Sequence, residues 1–165
     1  MEIQECKNSK QIEALALCAK EIWNEYFTAI ISQEQIDYMV EKFQSETALK
    51  KAIFEDHYVY YMLCEKDVPI AYCGIQVQGQ RLFLSKLYVK KAYRKKGLSS
   101  LLFNRCIEYA KQQHCNAIYL TCNKYNENSL AMYHHKGFTI IDTQEADIGH
   151  GFIMDDYILE LSLTA

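Results

Sequence analysis

The 165-residue sequence contains a single proline, Pro69, only six glycines, and no proline- or glycine-rich stretch that would separate two domains. It has no internal repeat and no apolar run near the roughly 20 residues of a membrane-spanning helix. Its first ten residues, MEIQECKNSK, lack the basic and then apolar stretches of a secretory signal. The sequence therefore predicts one domain over residues 1–165, neither embedded in a membrane nor exported.

The cysteines do not form a disulfide or zinc pattern. There are seven of them, an odd number, and none belongs to a CxxC pair. Most lie in apolar runs, where a free thiol behaves as a small hydrophobic side chain. This pattern predicts a reducing, cytoplasmic location. The neighbours His114 and Cys115 and the pair His134 and His135 lack metal-ligand spacing, so we expect no metal site.

The formal net charge of −3 conceals an uneven distribution of charge along the chain. Residues 68–141 contain eleven Lys and Arg against two Glu, whereas the flanking segments contain seven Lys and Arg against nineteen Asp and Glu. The middle of the chain therefore suits an anionic ligand, and the two ends suit a neutral or cationic one. Ordinary solvated surface charge would give the same asymmetry, so charge alone does not decide the function.

Hydrophobic spacing predicts helices in the N-terminal third. Apolar residues at helical intervals follow Asn8 and Ser9, either of which can cap a first helix. Ser32 and Gln35 resemble a capping box before a second helix over roughly 33–43, and a short third helical piece follows.

The remainder of the chain alternates between strand and helix patterns. Strands are predicted at 57–65, 70–78, 81–89, 117–123, 138–144 and 152–162, with helices after the loop KKAYRKKG and near 127–136. The first two of these strands form an antiparallel hairpin, and the helix between the third and fourth predicts a parallel crossover. The order β-α-α-β-β-β-α-β-α-β-β predicts an α/β fold with a mixed sheet.

The basic loop has the features of an anion site. A strand gives way to a helix at Arg94, Lys95, Lys96, Gly97, Leu98 and Ser99. The first N–H groups of a helix lack intrahelical acceptors, and the helix dipole favours an anion there. A pyrophosphate fits this description, although a solvated turn with a capping glycine is the alternative. Neither GxxxxGK(S/T) nor GxGxxG is present.

Two segments carry a resemblance to a known family. LYVKKAYRKKGLSSLLFNRCIEYA resembles the acetyl-CoA motif of the GNAT superfamily, a strand followed by (Q/R)-x-x-G-x-(G/A) at a helix start. Asn126–Ser129 with Met132–Phe138 resembles the family's second signature, N-x-x-(A/S) and Y-x-x-x-G-F. The resemblance implies the GNAT fold, a mostly antiparallel mixed sheet whose parallel central pair is splayed for acetyl-CoA, flanked by helices. It also implies acetyl transfer from acetyl-CoA, as the donor substrate, to an amine.

The resemblance further implies roles for individual residues. The strand matching Leu87 to Val89 would bend at a bulge and bind the pantetheine arm, and the amides from Arg94 to Ser100 would hold the pyrophosphate. Tyr133 matches the tyrosine that protonates the departing thiolate, with a packing role as the alternative. The expected cofactor-binding residues are Leu87, Tyr88, Val89, Arg94, Lys95, Lys96, Gly97, Leu98, Ser99, Ser100, Asn126 and Ser129, with Asn123 as the alternative to Asn126.

Two positions depart from the family pattern. Ser99 replaces the usual glycine or alanine, and the strand RLFLSKLYV lacks the acidic residue that serves some relatives as a base. An amine with a pKa of about 10 must lose a proton before it attacks. Asp155, Asp156 and Glu46 are candidates for this role, and the sequence leaves the base unassigned.

The acceptor is less defined by sequence. The segments IWNEYFTAIISQEQIDYMVEKF and GHGFIMDDYILEL are more loosely similar to bacterial spermidine/spermine acetyltransferase-like proteins. Acidic residues in the two ends would favour a polyamine or another small cationic amine. Peptide and protein amines stay open, as do a homodimer and a catalytically weak acetyl-CoA sensor or scaffold.

One other catalytic mechanism and one other function compete with this interpretation. Cys122 with His134 or His135 would allow a covalent acyl-enzyme, although direct transfer needs no nucleophile. The loop KLYVKKAYRKKG, with Tyr88 and Tyr93 among basic residues, would suit nucleic acid. The net acidity of the chain argues against the second, so we expect no nucleic-acid partner.

Overall fold

The structure, a computed structural model, describes residues 1–163, which form one mixed sheet with helices packed on it. The elements are β1 (Glu2–Glu5), α1 (Ser9–Tyr26), α2 (Gln33–Gln44), α3 (Glu46–Phe54), β2 (Val59–Glu65), β3 (Val68–Gln78), β4 (Arg81–Val89), α4 (Leu98–Gln112), β5 (Ala117–Asn123), α5 (Glu127–His135), β6 (Thr139–Gly149) and β7 (Phe152–Ser162). The predicted element types and their order are confirmed. Strand β6 runs five residues further than predicted, because it pairs with β7 up to the tight turn at His150 and Gly151.

The sheet has the strand order β1-β2-β3-β4-β5-β7-β6. Every neighbouring pair is antiparallel except β4 and β5, which are parallel and joined through α4. This is the predicted α/β fold with one parallel central pair. No helix within residues 1–163 is both long and apolar enough to cross a membrane.

The parallel pair separates soon after it forms. Strands β4 and β5 pair only from Arg81 to Phe83 and from Ala117 to Tyr119. Beyond that point β4 remains paired with β3, and β5 with β7, so an open slot lies between them. Ser85 is an extra residue in the β3–β4 register, and such a bulge increases the local twist and turns a strand away from its neighbour. The predicted splay is therefore confirmed.

Both faces of the sheet are covered by apolar packing. On one face Leu102, Cys106 and Ala110 of α4 pack on the central strands, and on the other Ile12, Leu15 and Ile22 of α1 do so. Each fully buried leucine or isoleucine side chain among them contributes roughly 1.5–3 kcal/mol. All seven cysteines are buried and free.

Helix starts follow the sequence closely, with one difference. Asn8, rather than Ser9, caps α1, because its side-chain oxygen accepts from the Gln11 backbone N–H. The Gln11 side-chain oxygen accepts from the Asn8 backbone N–H, which completes a capping box. Ser32 caps α2 by accepting from the Gln35 backbone N–H. The Gln35 side chain instead donates to the Met154 sulfur at 3.3 Å, because it is buried against β7.

Candidate active site

The slot between β4 and β5 opens into a cavity of about 210 Å³. Its floor comes from the separated strands, with Leu84 to Tyr88 on one side and Thr121 to Asn123 on the other. Its polar residues also include Tyr133 of α5 and Asp156 of β7. The remaining wall is largely apolar and consists of Trp23, Phe27, Met39, Phe43, Ala146, Ile148 and Met154. Helices α1 and α2 and the last hairpin thus enclose one side of the cavity.

A groove of about 790 Å³ adjoins this cavity at the start of α4. Asn126 and Ser129 line both spaces, so the groove and the cavity meet at the start of α5. The other residues of the groove that matter here are Tyr26, Val89, Arg94, Lys95, Gly97, Leu98 and Ser99. One continuous path therefore leads from the basic loop to Tyr133.

The start of α4 differs from the other helix starts among residues 1–163. Helices α1, α2, α3 and α5 have side-chain caps from Asn8, Ser32, Ser45 and Asn126, whereas α4 begins after Gly97 with no side-chain cap. Gly97 has φ +75°, and a Cβ there would meet nothing within 4 Å. Glycine is thus favoured for its left-handed backbone and not for space. The first N–H groups of α4 consequently face the groove without a side-chain acceptor.

Ten of the twelve predicted cofactor-binding residues line the groove or the cavity, and Lys96 and Ser100 do not. Lys96 is exposed, and its Nζ lies 5.7 Å from the Tyr93 ring centre. The Ser100 hydroxyl accepts a hydrogen bond from Lys136 Nζ at 2.9 Å. The structure therefore places these two residues on the outer side of the helix start.

Asn123 and Asn126 have separate structural roles. The Asn123 side-chain oxygen accepts from the Tyr125 backbone N–H at 2.9 Å, whereas that of Asn126 accepts from Ser129 N–H at 3.3 Å and caps α5. Asn123 lines only the cavity, and Asn126 lines both spaces. Asn126 is therefore the better placed of the two to contact a ligand that spans groove and cavity.

Tyr133 is buried at the inner end of the path. Its ring packs edge-on against Phe138, with ring centres 5.4 Å apart, and it lines the cavity. Burial, together with the nearby Tyr88 and Cys122, holds the pKa of the phenol well above its usual value. The hydroxyl is therefore protonated at ordinary pH and available as a proton donor.

Cys122 is unsuited to form a covalent acyl-enzyme, and Tyr88 is unsuited to bind nucleic acid. Burial and the nearby Asp156 raise the pKa of the Cys122 thiol to about 12, which keeps it neutral and weakly nucleophilic. Tyr88 packs edge-on against Trp23 and Tyr26, with ring centres 5.7 Å and 5.3 Å away, so it is not free to stack on a base. The geometry thus disfavours a covalent acyl-enzyme and a nucleic-acid surface.

The three acidic residues considered as bases occupy very different positions. Asp156 is 7% exposed, lines the cavity and has an Oδ1 atom without a hydrogen bond among the described residues. Asp155 forms an ion pair with Lys124 at 2.8 Å. Glu46 is exposed at the first residue of α3 and lies outside the cavity lining.

Lys86 is a cavity residue that the sequence analysis did not single out. It lies on β4 next to the bulge, and its Nζ donates to the Ser85 hydroxyl at 2.6 Å. Burial lowers the pKa of this lysine to about 8. The only signal in the sequence was a single lysine within the otherwise largely apolar run LFLSKLYV.

Comparison with known sequences gives the family. The Acetyltransferase (GNAT) family matches residues 18–138. A protein of Bacillus subtilis strain 168 assigned as a ribosomal protein bS18-alanine N-acetyltransferase is 27% identical over 82 residues, which are 49% of this chain and 54% of that protein. The chain thus spans about half the length of this curated relative.

Solved structures share the fold at low sequence identity. A PaiA N-acetyltransferase from Thermoplasma acidophilum, in complex with coenzyme A, has a TM-score of 0.83 at 20% identity, covering 98% of this chain and 99% of that one. The ribosomal-protein-S18-alanine N-acetyltransferase of Escherichia coli has a TM-score of 0.72 at 15% identity, covering 99% of each. Because the family match includes the splayed strands, the start of α4 and Tyr133, we conclude that the chain belongs to the Acetyltransferase (GNAT) family.

Proposed function

We propose that the protein transfers an acetyl group from acetyl-CoA directly to an amine. The observation that carries this proposal is the continuous path from the uncapped start of α4, along the free edge of β4, to Tyr133. The path has an anion site at one end and a proton donor at the other. A long anionic thioester matches both ends.

The donor would lie along this path with its charged end in the groove. The N–H groups following Gly97 would bind the pyrophosphate, with Arg94 and Lys95 supplying positive charge. The pantetheine arm would occupy the slot, where the backbone at Leu87 and Val89 has no partner on β5. Its thioester would then reach the cavity beside Tyr133. The Thermoplasma acidophilum protein of the same fold was solved in complex with coenzyme A, which supports a coenzyme A thioester as the donor.

The chemistry follows from that placement. A neutral amine attacks the thioester carbonyl, and a backbone N–H of β4 stabilises the oxyanion that develops. The carbon–sulfur bond then breaks, and Tyr133 protonates the departing thiolate. The amine reacts with the donor without a protein-bound intermediate, because the neutral Cys122 thiol is a poor nucleophile.

The acceptor would enter the cavity from the side formed by α1, α2 and the β6–β7 hairpin. This wall is aromatic and aliphatic, and the charged residues of the lining are Asp156 and Lys86. The cavity therefore suits one amine carried on an apolar or aliphatic body. Acidic residues of the enclosing elements are exposed outside the lining, among them Glu34, Asp37, Glu41, Asp142, Glu145 and Asp147. These acids would attract a polyamine through long-range electrostatic attraction, without contacting it in the cavity.

The second candidate acceptor is the α-amine of a polypeptide. The relatives in Bacillus subtilis and Escherichia coli carry names that specify an alanine of a ribosomal protein. A small N-terminal side chain would fit the apolar cavity. The two candidates differ in charge, since a polyamine has several cationic centres and a peptide terminus has one.

The proposal is tested by binding and turnover together. Acetyl-CoA should raise the melting temperature of the protein, because a ligand selective for the native state stabilises it. Coenzyme A release would then be followed, with mass spectrometry of the product, for three kinds of acceptor. These are spermidine, peptides with N-terminal alanine, and monoamines that carry no other charged group. Binding without acetylation of any amine would instead indicate a sensor or scaffold, and absence of binding would refute the donor site.

A further inference from the structure

We infer that Asp156 is the general base that removes a proton from the acceptor ammonium. The inference rests on the proposed function, because it assigns a role within that reaction. It concerns the step that the sequence leaves without a residue, since β4 has no acidic side chain.

Asp156 projects into the cavity from β7, the neighbour of β5. It lies directly opposite Asn123, the last residue of β5, and cross-strand partners of this kind face the same side of a sheet. Asn123, Asp156 and Tyr133 all line the cavity. A proton acceptor and a proton donor are thus present in the space where the amine and the thioester would meet.

The Asp156 carboxylate is buried without the partners that normally accompany a buried acid. The residue is 7% exposed, and its Oδ1 atom has no hydrogen bond within residues 1–163. A buried charge without a hydrogen bond destabilises a fold, so such a group usually serves another purpose. An acceptor ammonium would supply the missing donor. The open oxygen therefore indicates where the acceptor nitrogen binds.

The neighbouring acids do not fit the same role. Successive side chains of a strand point to opposite faces of the sheet, so Asp155 and Asp156 lie on different faces. The Asp155 carboxylate forms an ion pair with Lys124 at 2.8 Å. Glu46 lies at the exposed start of α3. Among the described residues that line the cavity, Asp156 is the one acidic side chain.

The groups around Asp156 support its function as a base. They are Asp155 on β7, Lys124 after β5, Cys122 on β5, Tyr88 and Lys86 on β4, and Tyr133 on α5, while β6 presents the uncharged Gln144 opposite it. Burial, and then Asp155, raise the pKa of Asp156 to about 6, although Lys124 acts to lower it. The carboxyl is consequently ionised at neutral pH and more basic than an exposed aspartate.

The protons balance in this scheme. The acceptor ammonium gives one proton to the Asp156 carboxylate, and the neutral nitrogen forms a bond to the thioester carbon. When the carbon–sulfur bond breaks, the sulfur takes the proton of the Tyr133 phenol. The nitrogen, which now carries one proton more than an amide does, gives that proton to the Tyr133 phenolate. Asp156 then releases its proton to water. The products are the acetylated amine, coenzyme A as its thiol and one proton.

The test compares Asp156→Asn with Asp155→Asn, which removes an adjacent acid that raises the pKa of Asp156 but does not line the cavity, so this control should only move the rise of kcat/KM to lower pH. The acceptors are spermidine and a peptide with N-terminal alanine, whichever the wild type acetylates. Asp156→Asn should lower kcat/KM by about 10² to 10⁴-fold, the usual contribution of general base catalysis. Its affinity for acetyl-CoA should stay within about twofold of wild type. Asp155→Asn should retain most of the activity.

The pH dependence separates a base from a merely structural residue. If Asp156 is the base, wild-type kcat/KM rises up to pH about 6 and then levels, because the ionised base works on the protonated amine. Asp156→Asn should lose the plateau and rise continuously towards the pKa of the free amine, about 10 for spermidine and about 8 for the α-amine of the peptide. Asp156→Glu, which keeps a carboxyl, should keep a plateau.

Each outcome decides between the two proposals. An active wild type whose Asp156→Asn variant keeps both its kcat/KM and its plateau overturns the role of Asp156 and leaves the acetyltransferase proposal intact. A wild type that binds acetyl-CoA and acetylates none of the amines removes the proposed function and this inference with it. A plateau that disappears in Asp155→Asn as well overturns the assignment to Asp156.

Discussion

The guanidinium carbon of Arg94 lies 3.7 Å from the ring centre of Tyr26, and Arg94 Nε donates to the Val89 carbonyl oxygen at 3.1 Å. Arg94 therefore joins the loop before α4 to helix α1 and to the end of β4. A substitution of Arg94 would alter this packing together with the charge of the groove. Lys95 and Lys96 are exposed and are the cleaner probes of charge.

Reversing the charge of these two lysines should weaken acetyl-CoA binding without unfolding the protein. Exposed ion pairs contribute at most about 1 kcal/mol each, so Lys95→Glu with Lys96→Glu should raise Kd by roughly 5- to 30-fold, measured by calorimetric titration. The control is Lys10→Glu with Lys50→Glu, an equal charge change on exposed lysines of α1 and α3. Equal Kd values for the two double variants would show that the pyrophosphate binds elsewhere.

Tyr133→Phe should reduce turnover and spare the fold. The phenylalanine ring retains the edge contact with Phe138, so the melting temperature and acetyl-CoA affinity should be nearly unchanged. Loss of the proton donor should lower kcat by about 10² to 10⁴-fold where chemistry limits turnover. Tyr109→Phe, at a tyrosine of α4 that lines neither the groove nor the cavity, is the matched control. An unchanged kcat under those conditions would reduce Tyr133 to a packing residue.

Asp156 should also make stability depend on pH in an unusual direction. Its pKa of about 6 in the folded protein exceeds the usual 3.8, so between these values the folded protein holds a proton that the unfolded chain has released. The free energy of unfolding therefore falls as pH rises through this window. Asp156→Asn removes the effect, and its melting temperature should exceed that of wild type by about 2–4 °C above pH 6, or roughly 1 kcal/mol after solvent screening.

At about pH 4 this difference in melting temperature should be small, and it should grow up to about pH 6. The control is Asp142→Asn, which removes an exposed acid on β6. A variant that is less stable than wild type at pH 7 would contradict the inference that the carboxylate is buried without adequate partners. Melting curves followed by circular dichroism across this range would provide the measurement.

The acceptor prediction concerns charge. If the exposed acids of α2 and β6 attract the acceptor, spermidine should be acetylated faster than a neutral-bodied monoamine of similar length, and the preference should decline as salt rises. Rates at about 20 mM and 500 mM salt would test this, since the screening length falls several-fold between them. Equal rates at both salt concentrations would favour the single α-amine of a polypeptide.

The fold could be predicted from local patterns in the sequence. The run RLFLSKLYV and the helical spacing after Gly97 define β4 and α4, and the single helix between β4 and β5 indicated the parallel crossover that the sheet contains. The motifs around Gly97 and Tyr133 likewise marked most of the residues that line the groove and cavity. Such features could be predicted because they depend on neighbours within a few positions.

The sequence by itself therefore determined the element order and the glycine before α4, and its resemblance to the family indicated a phenol near the slot. Only the tertiary structure decided which acid could serve as a base, because Asp155 and Asp156 are adjacent in sequence and differ through the strand pairing of β7. The same holds for Arg94 and Lys86, whose environments arise from α1 and from the bulge at Ser85. Burial and ion pairing depend on segments distant in the chain, and no local pattern encodes them.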